Sequence, residues 1–224
     1  MRIAFGSDEL NLQPTKIIGL VKNYRAHAVE MGGEVPPEPR FFLKPPSALL
    51  PDGGIVILPA GSHRVDYEVE LAVILSRHCR FVSIEDALDR VLGYAVTVDI
   101  TARDLQGQAM KEGMPWALSK GYDTFAPLGP CIVPAQSLDP QSLTIWLKVN
   151  GQTRQSGNTR DMVFGVARLI SYLSSVMTLE PHDIIATGTP EGVGPLLDGD
   201  WVEAGIDGIG VLRFEARNEN REAR

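Results

Sequence analysis

Three acidic side chains have the residue types and the spacing of a cation site. Glu68 and Glu70 lie two residues apart in the run DYEVELAVIL, so in a β-strand both side chains point to the same face. Asp99 ends another apolar run, where a carboxylate must be exposed, paired or bound to a metal. Carboxylates with no basic residue next to them in the sequence are suitable ligands for hard cations such as Mg²⁺, Mn²⁺ or Ca²⁺. The alternatives are an edge strand whose glutamates face water and an Asp99 that caps a turn.

A histidine and a glutamate form a second candidate pair. His27 and Glu30 are three residues apart, so on a helix they share a face, and Glu30 can raise the basicity of the imidazole. Such a pair is a candidate general base for activating water. The alternative is an incidental pair on a solvated helix face. A zinc protease is not indicated, because the sequence has no HExxH motif.

A glycine-rich loop and two lysines complete the candidate chemistry. The loop 188–194, GTPEGVG, can bring backbone N–H groups close to an anion, although a tight surface turn has the same composition. It has neither the Gly-Lys-Ser/Thr ending of a phosphate-binding loop nor a GxGxxG fingerprint. Lys44 and Lys120 each adjoin Pro or Gly, which could aim them inward, whereas a lone lysine is usually solvated.

The elements that must position these residues are mostly short strands. In the strand predicted over 66–75 the odd-numbered residues are all apolar and should face the core, while the even face begins with three acids. Asp66, the first of these acids, competes with Asp99 as a third ligand but is expected to face water. Further strands are predicted at 16–22, 94–100, 184–187 and 200–214, and a hairpin with a type I′ turn at Asn150-Gly151 joins 143–150 to 152–155. Helices are predicted from Asn23 to Met31, over 83–92, from Thr101 onward and over 161–177.

Composition and charge exclude several classes of protein. The 224 residues carry 21 Lys+Arg against 28 Asp+Glu, and no basic cluster suggests a nucleic-acid or anionic-membrane partner. No apolar stretch approaches the ~20 residues of a membrane span, and Asp8 and Glu9 come too early for a signal peptide. The two cysteines, without a CxxC motif, fit a reducing, cytoplasmic setting.

Taken in order, several of these segments resemble one enzyme family. The runs are NYRAHAVEMG, FFLKPPSAL, DYEVELAVIL, GYAVTVDITARDLQ, PWALSKGYDTFAPLGP, NGQTRQSGNT and IIATGTPEGVG, and they resemble the fumarylacetoacetate hydrolase family over roughly residues 16–215. The resemblance is to its short branch of acylpyruvases, fumarylpyruvate hydrolases, oxaloacetate decarboxylases and homoprotocatechuate-pathway isomerase/decarboxylases. It implies one catalytic domain over 1–224 with 1–15 as a lead-in, and a homodimer. The implied fold class is α+β and β-rich, a mixed β-sandwich or roll with a few short helices.

The resemblance also implies roles for particular residues. It implies that Mg²⁺, or Mn²⁺ or Ca²⁺ in its place, is the cofactor and that a small anionic 2-oxo or diketo acid is the substrate. Arg25, on the dyad helix, is our own candidate for holding a second carboxylate of that substrate. The metal ligands are then Glu68, Glu70 and Asp99, the catalytic residues His27, Glu30 and Lys120, and the substrate-binding residues Arg103, Gln106, Gly188, Thr189 and, near the pocket, Lys44.

The leading functional prediction is a metal-dependent hydrolase that cleaves a C–C bond in acylpyruvate-type 2,4-diketo acids through a pyruvate enolate. The same site could decarboxylate oxaloacetate or isomerise 2-hydroxyhepta-2,4-dienedioate-type substrates in aromatic catabolism. A non-catalytic protein that binds a metal or an oxo acid is the alternative of another class.

One departure from the family pattern is His182, where relatives commonly have glycine in a Pro-Gly-Asp turn.

Overall fold

The computed structural model describes residues 1–220, which form short strands and four α-helices. None of the helices in this range is long and apolar enough to cross a bilayer. The helices are α1 (Arg25–Glu30), α2 (Arg103–Glu112), α3 (Ala117–Lys120) and α4 (Val166–Val176). The strands are β1 (Arg2–Phe5), β2 (Asp8–Asn11), β3 (Ile17–Val21), β4 (Arg40–Lys44), β5 (Leu49–Pro51), β6 (Ile55–Leu58), β7 (Val65–Tyr67), β8 (Val69–Leu75), β9 (Val91–Val98), β10 (Thr101–Ala102), β11 (Ala126–Pro134), β12 (Thr144–Val149), β13 (Gln152–Asn158), β14 (Ile184–Ala186), β15 (Gly194–Pro195), β16 (Trp201–Ile206) and β17 (Gly210–Asn218).

The strands form three sheets. The largest has the order β2-β1-β11-β9-β8-β14-β3-β4, with β5 paired to β11. A second sheet has the order β13-β12-β16-β17-β6, and a small third sheet has the order β10-β7-β15. The predicted β-rich α+β class with a few short helices is therefore confirmed.

The central strand β8 separates two hydrophobic cores. Its odd-numbered residues, such as Leu71 and Val73, belong to a large cluster that includes apolar residues of β12, β16 and α4. Its even-numbered Ala72 and Ile74 belong to a smaller cluster on the other face, which includes Ile3 of the N-terminal lead-in. The alternation in the sequence therefore assigned the core face correctly, but both faces are covered. The glutamates at the start of this segment are consequently buried rather than facing water.

Most of the predicted elements are present, with shorter bounds. The hairpin turn has φ of 51° at Asn150 and 77° at Gly151, as a type I′ turn requires. The first helix ends at Glu30, before Gly32 in the left-handed region with φ of 65°. The helix predicted over 161–177 begins only at Val166, because a short 3₁₀ turn occupies 159–161.

Three local predictions were wrong. The segment 66–75 is two strands, since β7 pairs with β10 and β15 whereas β8 pairs with β9 and β14. The helix predicted over 83–92 is reduced to a 3₁₀ helix over Leu88–Arg90. Ser83 and Asp86 do form the capping hydrogen bonds, but Val91 must be extended to pair with Leu75. Thr101 lies in β10 rather than opening a helix, and α2 begins at Arg103.

Candidate functional site

The break between β7 and β8 brings the three predicted metal ligands together. Glu68 lies at the break, Glu70 lies in β8 and Asp99 follows β9, the neighbour of β8. The Asp99 N–H donates to the Glu68 carbonyl at 2.8 Å, which holds the two strand ends side by side. One carboxylate oxygen from each residue lies within 4.8 Å of the others, and all three side chains are buried.

Lys120 of α3 lies against this carboxylate cluster. Its Nζ donates to Glu68 Oε2 at 2.9 Å, to Asp99 Oδ2 at 2.5 Å and to Thr101 Oγ1 at 2.6 Å. Burial opposes the charged form of the lysine, but the Asp99 and Glu68 carboxylates outweigh it and raise the pKa of Lys120. The ammonium is therefore charged and placed to stabilise negative charge beside the cluster.

Lys44 is buried beside Asp99, on the inside of the fold. Its Nζ lies 2.6 Å from Asp99 Oδ1 and donates to the carbonyls of Ile100 and Phe125 at 2.9 and 2.7 Å. The contact with Asp99 is an ion pair only, because Asp99 Oδ1 has no hydrogen-bond partner among the described residues. Burial lowers the pKa of Lys44 to about 8, an effect that Asp99 partly offsets. Lys44 thus supports Asp99 from behind, and its substrate-binding role stays a prediction.

Arg103 is held by a network of acids. Its Nε donates to Asp66 at 2.9 Å, a terminal nitrogen donates to Glu68, and the other donates to Gln106 Oε1 at 2.7 Å. Asp66 is fully buried and also pairs with Arg64 at 2.9 Å, so the prediction that it faces water was wrong. Because Gln106 Oε1 accepts from Arg103, its amide NH₂ is the part that remains for a ligand.

Glu70 is the least compensated member of the cluster. It accepts a hydrogen bond from the Gly188 N–H at 2.7 Å and forms no ion pair with any residue in 1–220. Burial, followed by the charges of Asp99 and Glu68, raises the pKa of Glu70 well above its ordinary value. A buried carboxylate of this kind, beside two more carboxylates, fits a hard divalent cation. The residues present therefore suit the metal that the family resemblance implies.

The His27–Glu30 pair is formed on α1. His27 Nδ1 lies 3.2 Å from Glu30 Oε2, and His27 is buried. Glu30 Oε1 accepts from the Gly192 N–H at 3.0 Å, which ties the helix to the glycine-rich loop. With Nδ1–H directed at a carboxylate, Nε2 carries the free lone pair and can act as a base.

A small cavity joins the dyad to the carboxylate cluster. Its volume is about 60 Å³, enough for a few water-sized groups. His27 and Glu68 both line it. The remaining lining residues are Leu20, Val21, Lys22, Met31, Phe42, Arg103, Gln106, Met110, Trp116 and Lys120.

The glycine-rich loop 188–194 comes after β14 in the chain and contacts Glu70 through the Gly188 N–H. Gly188 has φ of 94°, and a Cβ there would lie 2.9 Å from the Asn23 Cβ, so both the backbone and the space require glycine. Asn23 donates to the carbonyls of Phe164 and Thr187 at 3.0 and 2.8 Å, which fixes the start of the loop. Thr189 is buried and accepts from the Gln155 side chain at 2.8 Å. No local pattern in the sequence identifies Asn23 or Gln155 as part of the site, because a lone amide carries no signal of its partners.

Arg25 and His182 lie elsewhere. Arg25 is exposed and lines a separate cleft with Arg160 and Glu191, since residues two apart on a helix point in nearly opposite directions. The prediction that it faces the substrate is therefore not met in this conformation. His182 has φ of 72°, in the left-handed region, and its Nδ1 accepts from the Gln13 N–H at 3.3 Å. This backbone conformation explains why glycine suits the position.

Comparison with known proteins gives a consistent result. Residues 16–216 match the family model described as fumarylacetoacetate (FAA) hydrolase C-terminal. A mitochondrial oxaloacetate tautomerase of Arabidopsis thaliana is 48% identical over 203 residues, covering 91% of each chain. The crystal structure of fumarylpyruvate hydrolase from Pseudomonas aeruginosa, in complex with Mn²⁺ and pyruvate, superposes with a TM-score of 0.91 at 33% identity, covering 98% of this chain and 96% of that one. A 5-carboxymethyl-2-hydroxymuconate delta-isomerase from Mycobacterium smegmatis superposes with a TM-score of 0.84 at 43% identity, covering 94% of this chain and 81% of that one.

Proposed function

The chain belongs to the fumarylacetoacetate hydrolase family, and on that premise we propose that it is a divalent-metal-dependent tautomerase of oxaloacetate. The observation that carries the proposal is that the base His27 and the ligand Glu68 line one small cavity. The choice of oxaloacetate rests on the 48% identity to an oxaloacetate tautomerase.

The charge of the site supports an anionic substrate. Four carboxylates and four cations are joined by ion pairs or lie side by side, so their formal charges cancel. A bound divalent cation would add positive charge to this cluster, which favours an anionic 2-oxo acid. The four acids are Asp66, Glu68, Glu70 and Asp99, and the four cations are Lys44, Arg64, Arg103 and Lys120.

Glu68, Glu70 and Asp99 would hold the metal, for which Mg²⁺ is our first candidate. When bound, such a cation supplies Lewis acidity, which makes the protons beside a keto group more acidic. His27 Nε2 then removes a proton from C3 of the keto acid, while Glu30 stabilises the imidazolium that forms. The three hydrogens of the Lys120 ammonium bond Glu68, Asp99 and Thr101, so Lys120 stabilises the developing negative charge on the oxygen at C2 through its positive charge. His27 finally delivers the proton to that oxygen, so one C–H bond is exchanged for one O–H bond.

The direct test is the rate of keto–enol interconversion of oxaloacetate, followed by the ultraviolet absorbance of the enol. We expect activity with Mg²⁺ or Mn²⁺ and loss of activity in EDTA. His27→Asn should lower kcat by about 100-fold or more, the usual contribution of a general acid–base. His78→Asn is the matched control, because His78 is exposed and outside the site. Full activity of the EDTA-treated protein or of His27→Asn would contradict the proposal.

Hydrolysis of acylpyruvates is the second candidate. It is favoured by the TM-score of 0.91 to a fumarylpyruvate hydrolase and by a dyad that can deprotonate water as well as carbon. In that reaction the water attacks the distal carbonyl and the C–C bond breaks, with a pyruvate enolate as leaving group. Acetylpyruvate and fumarylpyruvate should be tested alongside oxaloacetate, with products followed by NMR. Faster cleavage of a diketo acid than tautomerisation of oxaloacetate would make hydrolysis the main activity.

A further inference from the structure

Gln155 is an anomaly in its strand. β13 is exposed or half-exposed at every described position except Gln155, which is fully buried. The pairing of β12 with β13 shifts register between Leu147 and Lys148, opposite this residue. A β-bulge of this kind re-aims a side chain, and here it turns a polar one inward. A long amide that is fully buried must have its hydrogen bonds satisfied, so its partners indicate its role.

All the partners of Gln155 belong to the site. Its Oε1 accepts from the Val69 N–H at 3.0 Å, between the two predicted metal ligands of that strand. Its Nε2 donates to Thr189 Oγ1 at 2.8 Å and to the Pro190 carbonyl at 2.9 Å. The orientation of the amide is determined by these partners, because the Val69 N–H needs an acceptor and the Pro190 carbonyl needs a donor.

This arrangement determines how Thr189 can act. A hydroxyl has one hydrogen to donate, and the Thr189 oxygen already accepts from Gln155. No residue in 1–220 accepts a hydrogen bond from the Thr189 hydroxyl, although Thr189 is buried. The hydroxyl hydrogen is therefore available to a ligand that carries an acceptor oxygen.

We propose that Gln155 is a positioning residue that fixes the Thr189 hydroxyl as a donor to a carboxylate or keto oxygen of the substrate. The inference rests on the proposed function, since the ligand it requires is a 2-oxo acid. Gln155 touches neither the substrate nor the metal in this scheme. It acts by holding Thr189 and Pro190 against the backbone at Val69, so the loop and the ligand strand keep one relative position.

The test reverses the direction of one hydrogen bond. In Gln155→Glu a carboxylate replaces the amide, so it accepts the Thr189 hydroxyl hydrogen instead of donating to its oxygen. The Thr189 oxygen then presents only lone pairs to an anionic ligand. We expect the Kd of pyruvate for the Mn²⁺-loaded protein, measured by calorimetry, to rise about tenfold, and KM for oxaloacetate to rise more than kcat falls. Gln152→Glu is the matched control, because it makes the same charge change at an exposed position of the same strand.

A double-mutant cycle separates positioning from general damage. Thr189→Val removes the hydroxyl, so Gln155→Glu should add little further increase in Kd when Thr189 is already valine. Independent, additive effects would mean that Gln155 acts only on the fold and would overturn the inference. If Gln155→Glu does not fold, Gln155→Met decides, with a Kd about threefold higher expected and an unchanged Kd refuting the role.

Binding of pyruvate and oxaloacetate to the wild-type protein tells whether the role of Gln155 or the proposed function is wrong. If the wild-type protein binds pyruvate but Gln155→Glu and Gln152→Glu bind it equally well, only the role of Gln155 is wrong. If the wild-type protein binds neither pyruvate nor oxaloacetate in the presence of Mn²⁺, the proposed function is wrong and the inference falls with it.

Discussion

Replacing Lys44 by methionine should destabilise the fold rather than weaken substrate binding. Methionine preserves much of the length and apolar volume of the side chain but removes the ammonium. That ammonium lies 2.6 Å from Asp99 Oδ1 and donates to two backbone carbonyls, of Ile100 and Phe125. The side chain is buried, so water cannot replace these contacts. A substrate-binding lysine would behave differently, since its loss would raise KM and leave the free energy of unfolding nearly unchanged.

The size of the effect follows from the partners left behind. Removing one member of a buried ion pair costs about 3–5 kcal/mol, because the other charge stays buried without compensation. Asp99 retains Lys120 at 2.5 Å, which places the Asp99 part of the loss at the lower end. The Ile100 carbonyl, left unpaired, adds about 1 kcal/mol, whereas the Phe125 carbonyl still accepts from the Ile100 N–H at 3.1 Å. We therefore expect Lys44→Met to lower the free energy of unfolding by about 4 kcal/mol.

Urea denaturation without added metal measures this change. With a slope of about 3 kcal/mol per molar urea, the midpoint should fall by about 1.3 M. Lys111→Met is the control, because Lys111 is exposed on α2 and its replacement should change stability by less than about 0.5 kcal/mol. A midpoint within about 0.2 M of wild type, together with a raised KM for oxaloacetate, would refute the structural role and support the substrate-binding one.

Three further predictions concern the metal, the loop and the turn. Mn²⁺ at 100 times its Kd should stabilise the protein by about 2.7 kcal/mol. Glu70→Ala should abolish both this stabilisation and metal-dependent turnover while the fold survives. If Mn²⁺ raised the melting temperature of the variant as much as that of the wild type, Glu70 would not be a metal ligand. Gly188→Ala should lower the free energy of unfolding by about 2 kcal/mol or more, because φ is 94° and the new Cβ would lie 2.9 Å from the Asn23 Cβ. An unchanged melting temperature would contradict this close packing. His182→Gly should raise the free energy of unfolding by about 0.5 kcal/mol, because the relief of backbone strain at φ 72° exceeds the entropic cost of glycine. A lower melting temperature would mean that the lost hydrogen bond from the Gln13 N–H outweighs this relief.

Local patterns in the sequence were sufficient for the strands and for the types of residue in the site. Side-chain alternation identified the core face of 66–75 because the period of a strand is a local property. The same alternation put Glu68 and Glu70 on one face, and spacing along a helix paired His27 with Glu30. The hairpin turn followed from Asn-Gly, whose backbone tolerates positive φ.

Only the tertiary structure decided which of the charged residues perform which task. Nothing in the sequence distinguishes Lys44 from Lys120, yet one holds Asp99 from behind and the other lines the cavity. The burial of Asp66 and the inward turn of Gln155 likewise depend on neighbours far away in the chain. A long side chain takes its role from the strands and loops that surround its end. That environment is set by strand pairings between distant segments, whereas periodicity and spacing report only on the few residues that share a helical turn or a strand.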